Sequence, residues 1–358
     1  MKKILLVGGG TGGHCLPMLS IYKEFKKKNI KCTIVTDFRG ISYFSTLPQY
    51  DIKLIKNINS SNSRISQLIN FPYFFIQSLK LCFNLKVNFA VGFGGFITIP
   101  FLLACIFFRI KTVIHEANAI MGRANRFLSF YSYFIFTTFN DTKNINLRFL
   151  NKVKCIGMPI RAHLNSDKFY KKNNSNVIRI CILGGSQGSK SLSEVVPKSI
   201  IKLRSIINKN LFITHQGRES DIKYIKNIYN AFGIKADVSV FFDDMPKRMQ
   251  YSDVIISRSG SSTTNEIVFY KKPSILIPYP YAIDDHQYYN AKTLSQYSCS
   301  TLIRNENLNS TRLTIEIFKS IFVPAKKKYI KSKLSRINSL NSAEKMIQIL
   351  KLDLNGHK

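Results

Sequence analysis

The chain has 358 residues, 45% of them hydrophobic and 12% aromatic, and carries a formal net charge of +33. Its length suits two domains better than one, and its apolar content suffices for two cores. The seven cysteines are dispersed without a C-x-x-C pair, and the sequence shows no signal peptide. We therefore expect reduced thiols in a cytoplasmic protein rather than a disulfide framework or a metal site.

The basic excess is divided almost equally between the two halves of the chain. A nucleic-acid-binding protein more often concentrates its charge on one face or tail. The sequence also lacks an aromatic–basic RNA motif and zinc-finger spacing. Two explanations stay open for the excess of basic residues: compositional drift, and attraction to an anionic surface. If a partner is involved, we expect an anionic membrane surface and no nucleic acid.

The first predicted element is an apolar strand at 4–7 that leads directly into five glycines within residues 8–13. An unbroken apolar run is typical of a strand buried on both faces, and a helical pattern begins after His14. Glycines permit positive φ angles and close ligand approach, and a helix start attracts anions. This stretch therefore predicts a binding turn for an anion such as a diphosphate, with an imidazole at its mouth.

The same turn also satisfies a bare G-x-G-x-x-G spacing, and Asp37 lies near the place of the acidic residue of a dinucleotide-binding fold. That spacing alone is weak, so a nicotinamide oxidoreductase stays a minor alternative. A second strand, glycine turn and helix start follows at 178–192. The repeat indicates two similar α/β domains in tandem, with a boundary near residue 160.

Further elements are predicted between these turns. They are strands in 32–36, 51–58, 89–91, 113–114, 133–137, 211–215, 238–242, 254–257 and 273–278, a broad apolar helix in 67–85 and helices in 312–351. The apolar run 93–108 is too short to span a membrane and contains a proline. It is either a buried helix or a partly exposed patch that dips into a membrane surface. The basic residues around it are Lys80, Lys86, Arg109 and Lys111.

Polar side chains follow several predicted strands, where parallel sheets bind ligands. His115-Glu116-Ala117-Asn118 forms either a ligand site or a structural network. Asp243-Asp244 favours a helix cap over a metal site. The stretch 257–266 ends a buried strand and begins a helix among hydroxyl side chains. Its N–H groups suit a diphosphate, and the Glu266 carboxylate suits a ribose.

Taken together, eight short motifs resemble those of the MurG family of glycosyltransferases over nearly the whole chain. They are Gly-Gly-Gly-Thr-Gly-Gly-His at 8–14, Gly-Phe-Gly-Gly-Phe at 92–96, His-Glu-Ala-Asn at 115–118, Gly-Met-Pro-Ile-Arg at 157–161, Gly-Gly-Ser-Gln-Gly at 184–188, Phe-Phe-Asp-Asp-Met at 241–245, Ser-Arg-Ser-Gly-x-x-Thr at 257–263 and His-Gln-x-x-Asn-Ala at 286–291. The family's pattern is not kept at Ala117, Met158, Ser261 and His286.

The resemblance implies an α/β GT-B fold, two Rossmann-like domains with parallel sheets facing across a cleft. Residues 1–160 would bind the acceptor and the membrane, 161–340 would bind UDP-GlcNAc, and 341–358 would form a C-terminal helix. The implied reaction moves N-acetylglucosamine to lipid I, the undecaprenyl-diphosphate-linked muramoyl pentapeptide, and gives lipid II. No cofactor or metal is implied, and the implied location is peripheral, on the cytoplasmic face of the bacterial membrane.

The resemblance also implies roles for single residues. His14 would be the catalytic base. The acceptor would contact Gly92, Gly94, Gly95 and Glu116. The donor UDP-GlcNAc would contact Thr11, Gly12, Gly13, Asn118, Arg161, Ser186, Phe242, Ser261, Ser262, Thr263, Thr264, Asn265, Glu266 and Gln287. The alternatives are a related transferase with another lipid acceptor such as diacylglycerol, and a non-enzymatic basic protein of the membrane surface.

Overall fold

A computed structural model describes residues 3–56, 64–159, 176–185, 188–296, 298, 300–323 and 342–355. The chain divides into two compact units. The first unit comprises Met1–Asn165 with Ser339–Lys358, and the second comprises Ser166–Asn338. Each unit contains one parallel sheet with helices, which confirms the predicted α/β class with two Rossmann-like domains.

The sheet of the first unit has seven parallel strands in the order β3-β2-β1-β4-β5-β6-β7. The strands are β1 Lys3–Val7, β2 Lys31–Thr36, β3 Ile52–Leu54, β4 Phe89–Gly92, β5 Lys111–Glu116, β6 Phe134–Thr137 and β7 Val153–Cys155. The helices are α1 Gly12–Lys27, α2 Arg64–Leu85, α3 Thr98–Phe107 and α4 Arg123–Leu128. Short 3-10 helices span Ile41–Phe44, Gln49–Asp51 and Leu147–Lys152.

The register of this sheet sets the glycine turns beside each other. Val7 is level with Gly92, and Gly92 is level with Ile114. The turns after β1, β4 and β5 therefore leave the same edge of the sheet from neighbouring strands. This edge, at the carboxyl ends of the strands, is where open parallel sheets bind ligands.

The sheet of the second unit has six parallel strands in the order β10-β9-β8-β11-β12-β13. The strands are β8 Val177–Leu183, β9 Asn210–Gln216, β10 Lys235–Ser239, β11 Val254–Ser257, β12 Ser274–Leu276 and β13 Thr301–Leu302. The helices are α5 Lys190–Ile206, α6 Ile222–Ala231, α7 Met245–Tyr251, α8 Ser261–Tyr270, α9 His286–Gln296 and α10 Ser310–Phe322, with 3-10 helices at Glu219–Asp221, Ile283–Asp285 and Asn305–Asn307. Ser257 is level with Leu183 and with Leu276, so three ligand-side loops again start together.

The last helix, α11 Ser342–Asn355, belongs to the first unit. Met346, Ile347 and Leu350 are buried in the same apolar cluster as Phe25 of α1. Their burial attaches the C-terminal helix to the unit in which the chain begins.

The apolar segment between 64 and 108 is mainly core, with an exposed margin. Phe101 and Leu102 of α3 are fully buried against the sheet. In contrast, Phe83 and Phe107 are each 71% exposed, and the Phe83 and Phe108 rings lie 6.3 Å apart. The segment is therefore buried along one side and exposed at its margin, and the predicted contact with a membrane surface stays a prediction. Among the described helices, none is both long and apolar enough to cross a membrane.

One local prediction was wrong, and a second was confirmed in position only. The strand predicted at 238–242 ends at Ser239, because its pairing with β9 stops there and the next residues turn into solvent, with Phe241 68% exposed. Asp244 does stand at the N-cap position of α7, but its side chain makes no capping bond. Its carboxylate instead accepts a hydrogen bond from Arg248 at 2.6 Å, since the guanidinium lies one helical turn away.

Candidate active site

The first glycine turn is held by a carboxylate. Asp37 Oδ1 accepts hydrogen bonds from Gly10 N at 3.0 Å and from Gly40 N at 2.8 Å. A Cβ atom on Gly9 would lie 2.8 Å from Asp37 Cγ, so a side chain there would displace the carboxylate. Asp37 Oδ1 therefore supports the turn itself.

His14 follows this turn in the first turn of α1 and is half-buried. Its Nδ1 atom lies 3.1 Å from Gly9 O. A carbonyl oxygen only accepts, so Nδ1 carries the proton and the lone pair of the neutral ring is on Nε2. This tautomer leaves Nε2 as the basic atom.

The third glycine turn approaches the imidazole closely. Gly94 has a φ of +101°, and a Cβ atom on it would lie 2.9 Å from His14 Cδ2 and 3.0 Å from Nε2. A Cβ atom on Gly95, whose φ is +87°, would lie 2.8 Å from Gly9 O. The structure therefore brings the predicted acceptor glycines and His14 together. Gly92 ends β4 beside them.

The start of α1 is open to an anion. Thr11 is its N-cap residue and makes no side-chain capping bond. Thr11 is exposed, and Gly12 and Gly13 are half-buried. Backbone N–H groups and the positive end of the helix dipole are therefore directed at the mouth of the turn, which suits a diphosphate.

Glu116 is buried and organises the loop after β5. One carboxylate oxygen accepts bonds from the backbone and side-chain N–H groups of Asn118, at 3.0 and 3.1 Å. The other accepts bonds from Gly122 N at 2.9 Å and Asn125 Nδ2 at 2.8 Å. Four donors satisfy the charge, and the bonds orient the Asn118 amide at the ligand edge of the sheet.

The neighbouring His115 links two predicted motifs. Its ring lies 5.6 Å from that of Phe93, within the third glycine turn, and its Nε2 atom donates to Gly157 O at 3.2 Å. Burial lowers the pKa of His115 from 6.5 to about 4. The imidazole is therefore neutral at pH 7 and acts as a structural connection.

In the second unit, α8 divides its polar residues between two faces. Thr264 and Asn265 are buried, and their side chains donate to carbonyl groups of the same helix start. Ser262, Thr263 and Glu266 are half-buried and share a face, because helical residues three and four apart are neighbours. Ser261 is buried at the first position.

The accessible face of α8 combines donors with a carboxylate. Gly260 is the N-cap residue and supplies no capping side chain, so the first N–H groups of the helix are available to a ligand. Ser262 Oγ is buried without a partner among the described residues. This arrangement suits a diphosphate at the helix start and a ribose one turn later.

Gln287 ties two ligand-side loops of this unit together. Its Oε1 atom accepts hydrogen bonds from Ser259 N at 3.2 Å and Tyr279 N at 3.0 Å. Its backbone carbonyl accepts from Ser259 Oγ at 2.8 Å. The amide oxygen is therefore committed to the backbone, and Nε2 is the atom that can donate to a ligand.

Arg258 connects the loops after β11 and β12 to α5, and no motif of the sequence predicted this role. It is buried, and its Nη1 atom donates to Ile277 O at 3.1 Å and Pro278 O at 2.9 Å, while Nη2 donates to Ser191 Oγ at 2.9 Å. Burial lowers its pKa to about 10. An arginine directly after an apolar strand was the signal that could have identified this bridge.

Phe242 lies half-buried in the loop after β10, with the Arg248 guanidinium 4.3 Å from its ring centre. Arg248 also binds Asp237 at 2.7 Å and Asp244 at 2.6 Å, so it is held firmly. A supported aromatic ring at this edge suits a planar base. The predicted donor residues Arg161 and Ser186 lie outside the described residues.

Two family models match this chain. The glycosyltransferase family 28 N-terminal domain matches residues 4–137, and the glycosyltransferase family 28 C-terminal domain matches residues 179–348. These segments contain both described sheet edges and nearly all of the predicted site residues.

Curated relatives agree with the models. A UDP-N-acetylglucosamine–N-acetylmuramyl-(pentapeptide) pyrophosphoryl-undecaprenol N-acetylglucosamine transferase of Rickettsia bellii is 35% identical, covering 90% of this chain and 92% of the relative. The protein with the same name from Zymomonas mobilis is 32% identical over 98% of this chain and 92% of its own length. Such identity over most of both chains indicates common descent.

Among solved structures, MurG of Acinetobacter baumannii has a TM-score of 0.77 and 21% identity, and it covers 98% of this chain and 99% of its own. A UDP-GlcNAc 2-epimerase of Neisseria meningitidis has a TM-score of 0.70 and 16% identity, covering 97% and 99%. These likenesses show the shared fold. Together with the two family models and the relatives, they establish that the chain belongs to glycosyltransferase family 28.

Proposed function

We propose that this chain transfers N-acetylglucosamine from UDP-GlcNAc to the C4 hydroxyl of the muramoyl sugar of lipid I, giving lipid II. Relatives that cover most of the chain carry the name of this reaction. The observation that carries the chemistry is the imidazole of His14, held by Gly9 O so that Nε2 is basic. A histidine at a turn suited to an anion is placed to act as a base on a diphosphate-linked sugar.

The proposed step is a single displacement. The acceptor hydroxyl oxygen forms a bond to the anomeric carbon of GlcNAc while the bond from that carbon to the diphosphate breaks. The electron pair leaves on UDP, and His14 Nε2 takes the hydroxyl proton. One displacement inverts the anomeric centre, so no covalent intermediate with the protein is needed.

The donor is proposed to bind the second unit. The ribose would contact Glu266, the uracil would lie at Phe242, and the diphosphate would meet the N–H groups and hydroxyls at the start of α8. The positive helix end would stabilise the charge that develops on UDP. Arg161 and Ser186 are proposed to assist, and Gln287 Nε2 is proposed to donate to the sugar.

The acceptor is proposed to bind the first unit, with its diphosphate at the turns that contain Thr11 and Gly94. Asn118 would contact the GlcNAc hydroxyls. Glu116 is proposed to keep that amide oriented rather than to take the proton, since four hydrogen bonds already satisfy its carboxylate. This division of roles makes His14 the first candidate for the base.

The test is a turnover assay with the purified chain and a lipid I analogue with a short prenyl tail. We expect UDP release and glycosylated product with UDP-GlcNAc, and far less with UDP-galactose. Diacylglycerol as acceptor is the matched control for the alternative. Transfer to diacylglycerol but not to the lipid I analogue would replace the proposed acceptor, and donor binding without any transfer would reject the reaction.

The membrane surface is proposed as a further partner of the first unit. Ile69, Tyr73, Ile76 and Phe83 are exposed along α2, and Lys80 and Lys86 are exposed beside them. An apolar face with flanking cations suits an interface rich in anionic lipid.

We expect this chain to sediment more strongly with anionic than with neutral vesicles, less so in high salt. Charge reversal at Lys80, Lys86 and Arg109 should weaken the binding, whereas reversal at Lys235, an exposed residue of the second unit, should not. Equal binding to both vesicle types would contradict the electrostatic part of the proposal.

A further inference from the structure

The segment that follows β2 covers the first glycine turn with two side chains that the sequence motifs did not single out. A Cβ atom on Gly10, whose φ is +82°, would lie 3.3 Å from Arg39 Nη2. A Cβ atom on Gly12 would lie 3.3 Å from the hydroxyl oxygen of Tyr43. Two glycines therefore allow a guanidinium and a phenol to lie directly against the backbone of the turn.

The Arg39 guanidinium is only weakly engaged by its acidic neighbour. Its Nη2 atom lies 3.4 Å from Asp37 Oδ2, longer than the roughly 2.8 Å of a charge-assisted hydrogen bond. The other oxygen of Asp37 already accepts two backbone N–H groups. Arg39 Nε is buried without a partner among the described residues, and the side chain is 36% exposed. Donor capacity is therefore left beside the turn.

The turn motifs themselves contain no cationic side chain that could pair with a diphosphate. Residues 8–14 and 92–96 include neither lysine nor arginine. The helix start contributes only about half a positive charge. A guanidinium is planar, permanently charged and able to bind phosphate oxygens in pairs.

We propose that Arg39 is a further acceptor-binding residue, whose guanidinium pairs with the diphosphate of the lipid-linked acceptor at the first glycine turn. The Tyr43 hydroxyl is the neighbouring donor. The inference rests on the proposed function, because it takes the acceptor diphosphate to bind at this turn. It adds a charge contact to a site otherwise built from backbone N–H groups.

The first experiment measures steady-state kinetics of Arg39→Gln and Arg39→Lys with the short-chain lipid I analogue. We expect Arg39→Gln to lower kcat/KM for the acceptor by about ten- to a hundredfold, mostly through KM, as for loss of a charged hydrogen bond. The KM for UDP-GlcNAc should stay within about twofold of the wild-type value, and Arg39→Lys should recover part of the loss. Lys31→Gln is the matched control, because this exposed lysine begins the same strand, β2, at its opposite end.

A second acceptor distinguishes two roles of Arg39: direct binding of the acceptor's diphosphate charge, and support of the turn through Asp37. With a monophosphate in place of the diphosphate, the wild type should lose more acceptor affinity than Arg39→Gln does, because only the wild type makes the extra contact. Equal losses in both proteins would overturn the proposal. So would a variant with lower kcat and a lower melting temperature but an unchanged acceptor KM, since that pattern means Arg39 only supports Asp37.

Calorimetry with inorganic pyrophosphate, in the presence of saturating UDP, tests the contact without turnover. Weaker pyrophosphate binding by Arg39→Gln than by Lys31→Gln would support it, and equal binding by the two variants would overturn it. If the wild type transfers no sugar but binds pyrophosphate through Arg39, the proposed function fails while the anion contact at the turn stands.

Discussion

The two units repeat one design and use it differently. In the first unit, the turn after β1 leads to a helix whose N-cap residue, Thr11, makes no capping bond. In the second unit, the equivalent turn after β8 leads to a helix that Ser189 caps through Leu192 N. The open helix start of the second unit is instead α8, which follows β11 and begins after Gly260. These helix starts without a side-chain cap therefore follow a different strand in each unit, β1 in the first and β11 in the second.

The side chains that contact the first and second glycine turns also differ. Asp37 holds the first turn by accepting backbone N–H groups, and this leaves an arginine at the mouth. The second turn is covered by Arg218, since a Cβ atom on Gly188 would lie 2.5 Å from its Cγ. Arg218 is itself paired with Asp221 at 2.7 Å, and that pairing lowers the pKa of Asp221 to about 2. The two turns thus share the strand–turn–helix pattern but differ in helix capping and in the charged side chains beside them.

The largest expected effect is a loss of turnover on substitution of His14 in the first unit, without a change in donor binding at the second unit. We expect His14→Ala to lower kcat by about 10²–10⁴-fold, because the acceptor hydroxyl then lacks its base. UDP-GlcNAc affinity, measured by calorimetry, should not change. His14→Asn is the matched variant, since an amide can still donate toward Gly9 O but is not basic. Turnover within a few-fold of the wild type at saturating acceptor would exclude His14 as the base.

The complementary change is Glu266→Ala in the second unit. Removal of the carboxylate should weaken UDP-GlcNAc binding by about ten- to a hundredfold, the range of one charged hydrogen bond. Acceptor KM should stay near the wild-type value. Glu316→Ala, on α10, is a control of equal charge. Unchanged calorimetric affinity in Glu266→Ala would mean that the ribose is held elsewhere.

A smaller effect tests the close approach of the two turns in the first unit. Gly94→Ala should lower kcat by about tenfold, because its Cβ atom would displace the imidazole of His14. Gly233→Ala is the matched control, since Gly233 also has a positive φ, +61°, but a Cβ there meets nothing within 4 Å. Both variants should lose stability through backbone strain, by about 1 kcal/mol or more. Equal kcat values for the two variants would contradict the proposed contact.

Much of the fold was predictable because buried parallel strands have unbroken apolar runs, as in 4–7 and 254–257. Edge elements were less predictable. The short strand β13 escaped notice because two residues carry no period, and β10 was placed too far along the chain because Phe241 is apolar yet exposed.

Candidate site residues were predictable where a polar side chain directly follows a glycine turn in the sequence, as His14 does. They were not predictable where the partner comes from a distant strand. The contacts of Arg39 and Arg258 depend on which strands are neighbours. The local pattern marks Arg258 as an arginine directly after an apolar strand, but it does not specify the groups that either arginine contacts. Likewise, the sequence marked Glu116 as polar and strand-terminal but could not reveal its four donors.

The last prediction concerns acid stability and the two buried imidazoles of the described residues, His115 in the first unit and His215 in the second. Burial lowers the pKa of His115 from 6.5 to about 4 and that of His215 from 6.5 to about 3. Above pH 6.5 neither the folded nor the unfolded state binds the proton. Below pH 6.5 each histidine binds a proton in the unfolded chain but stays neutral in the folded state. The free energy of unfolding therefore falls as the pH is lowered. The slope should be about 1.4 kcal/mol per pH unit for each histidine until its folded pKa is reached.

Denaturant unfolding of the wild type, His115→Gln and His215→Gln at about pH 7, 6 and 5 checks this slope. Each variant should show a smaller fall between pH 6 and pH 5 than the wild type, by about 1 kcal/mol. Because both imidazoles are buried, the reductions should be similar, unlike the activity effects, which divide between the units. If the free energy of unfolding of both variants decreases between about pH 6 and pH 5 as much as that of the wild type, other groups dominate the acid sensitivity. A reduction in His115→Gln alone would mean that the two units differ in acid response as they do in ligand binding.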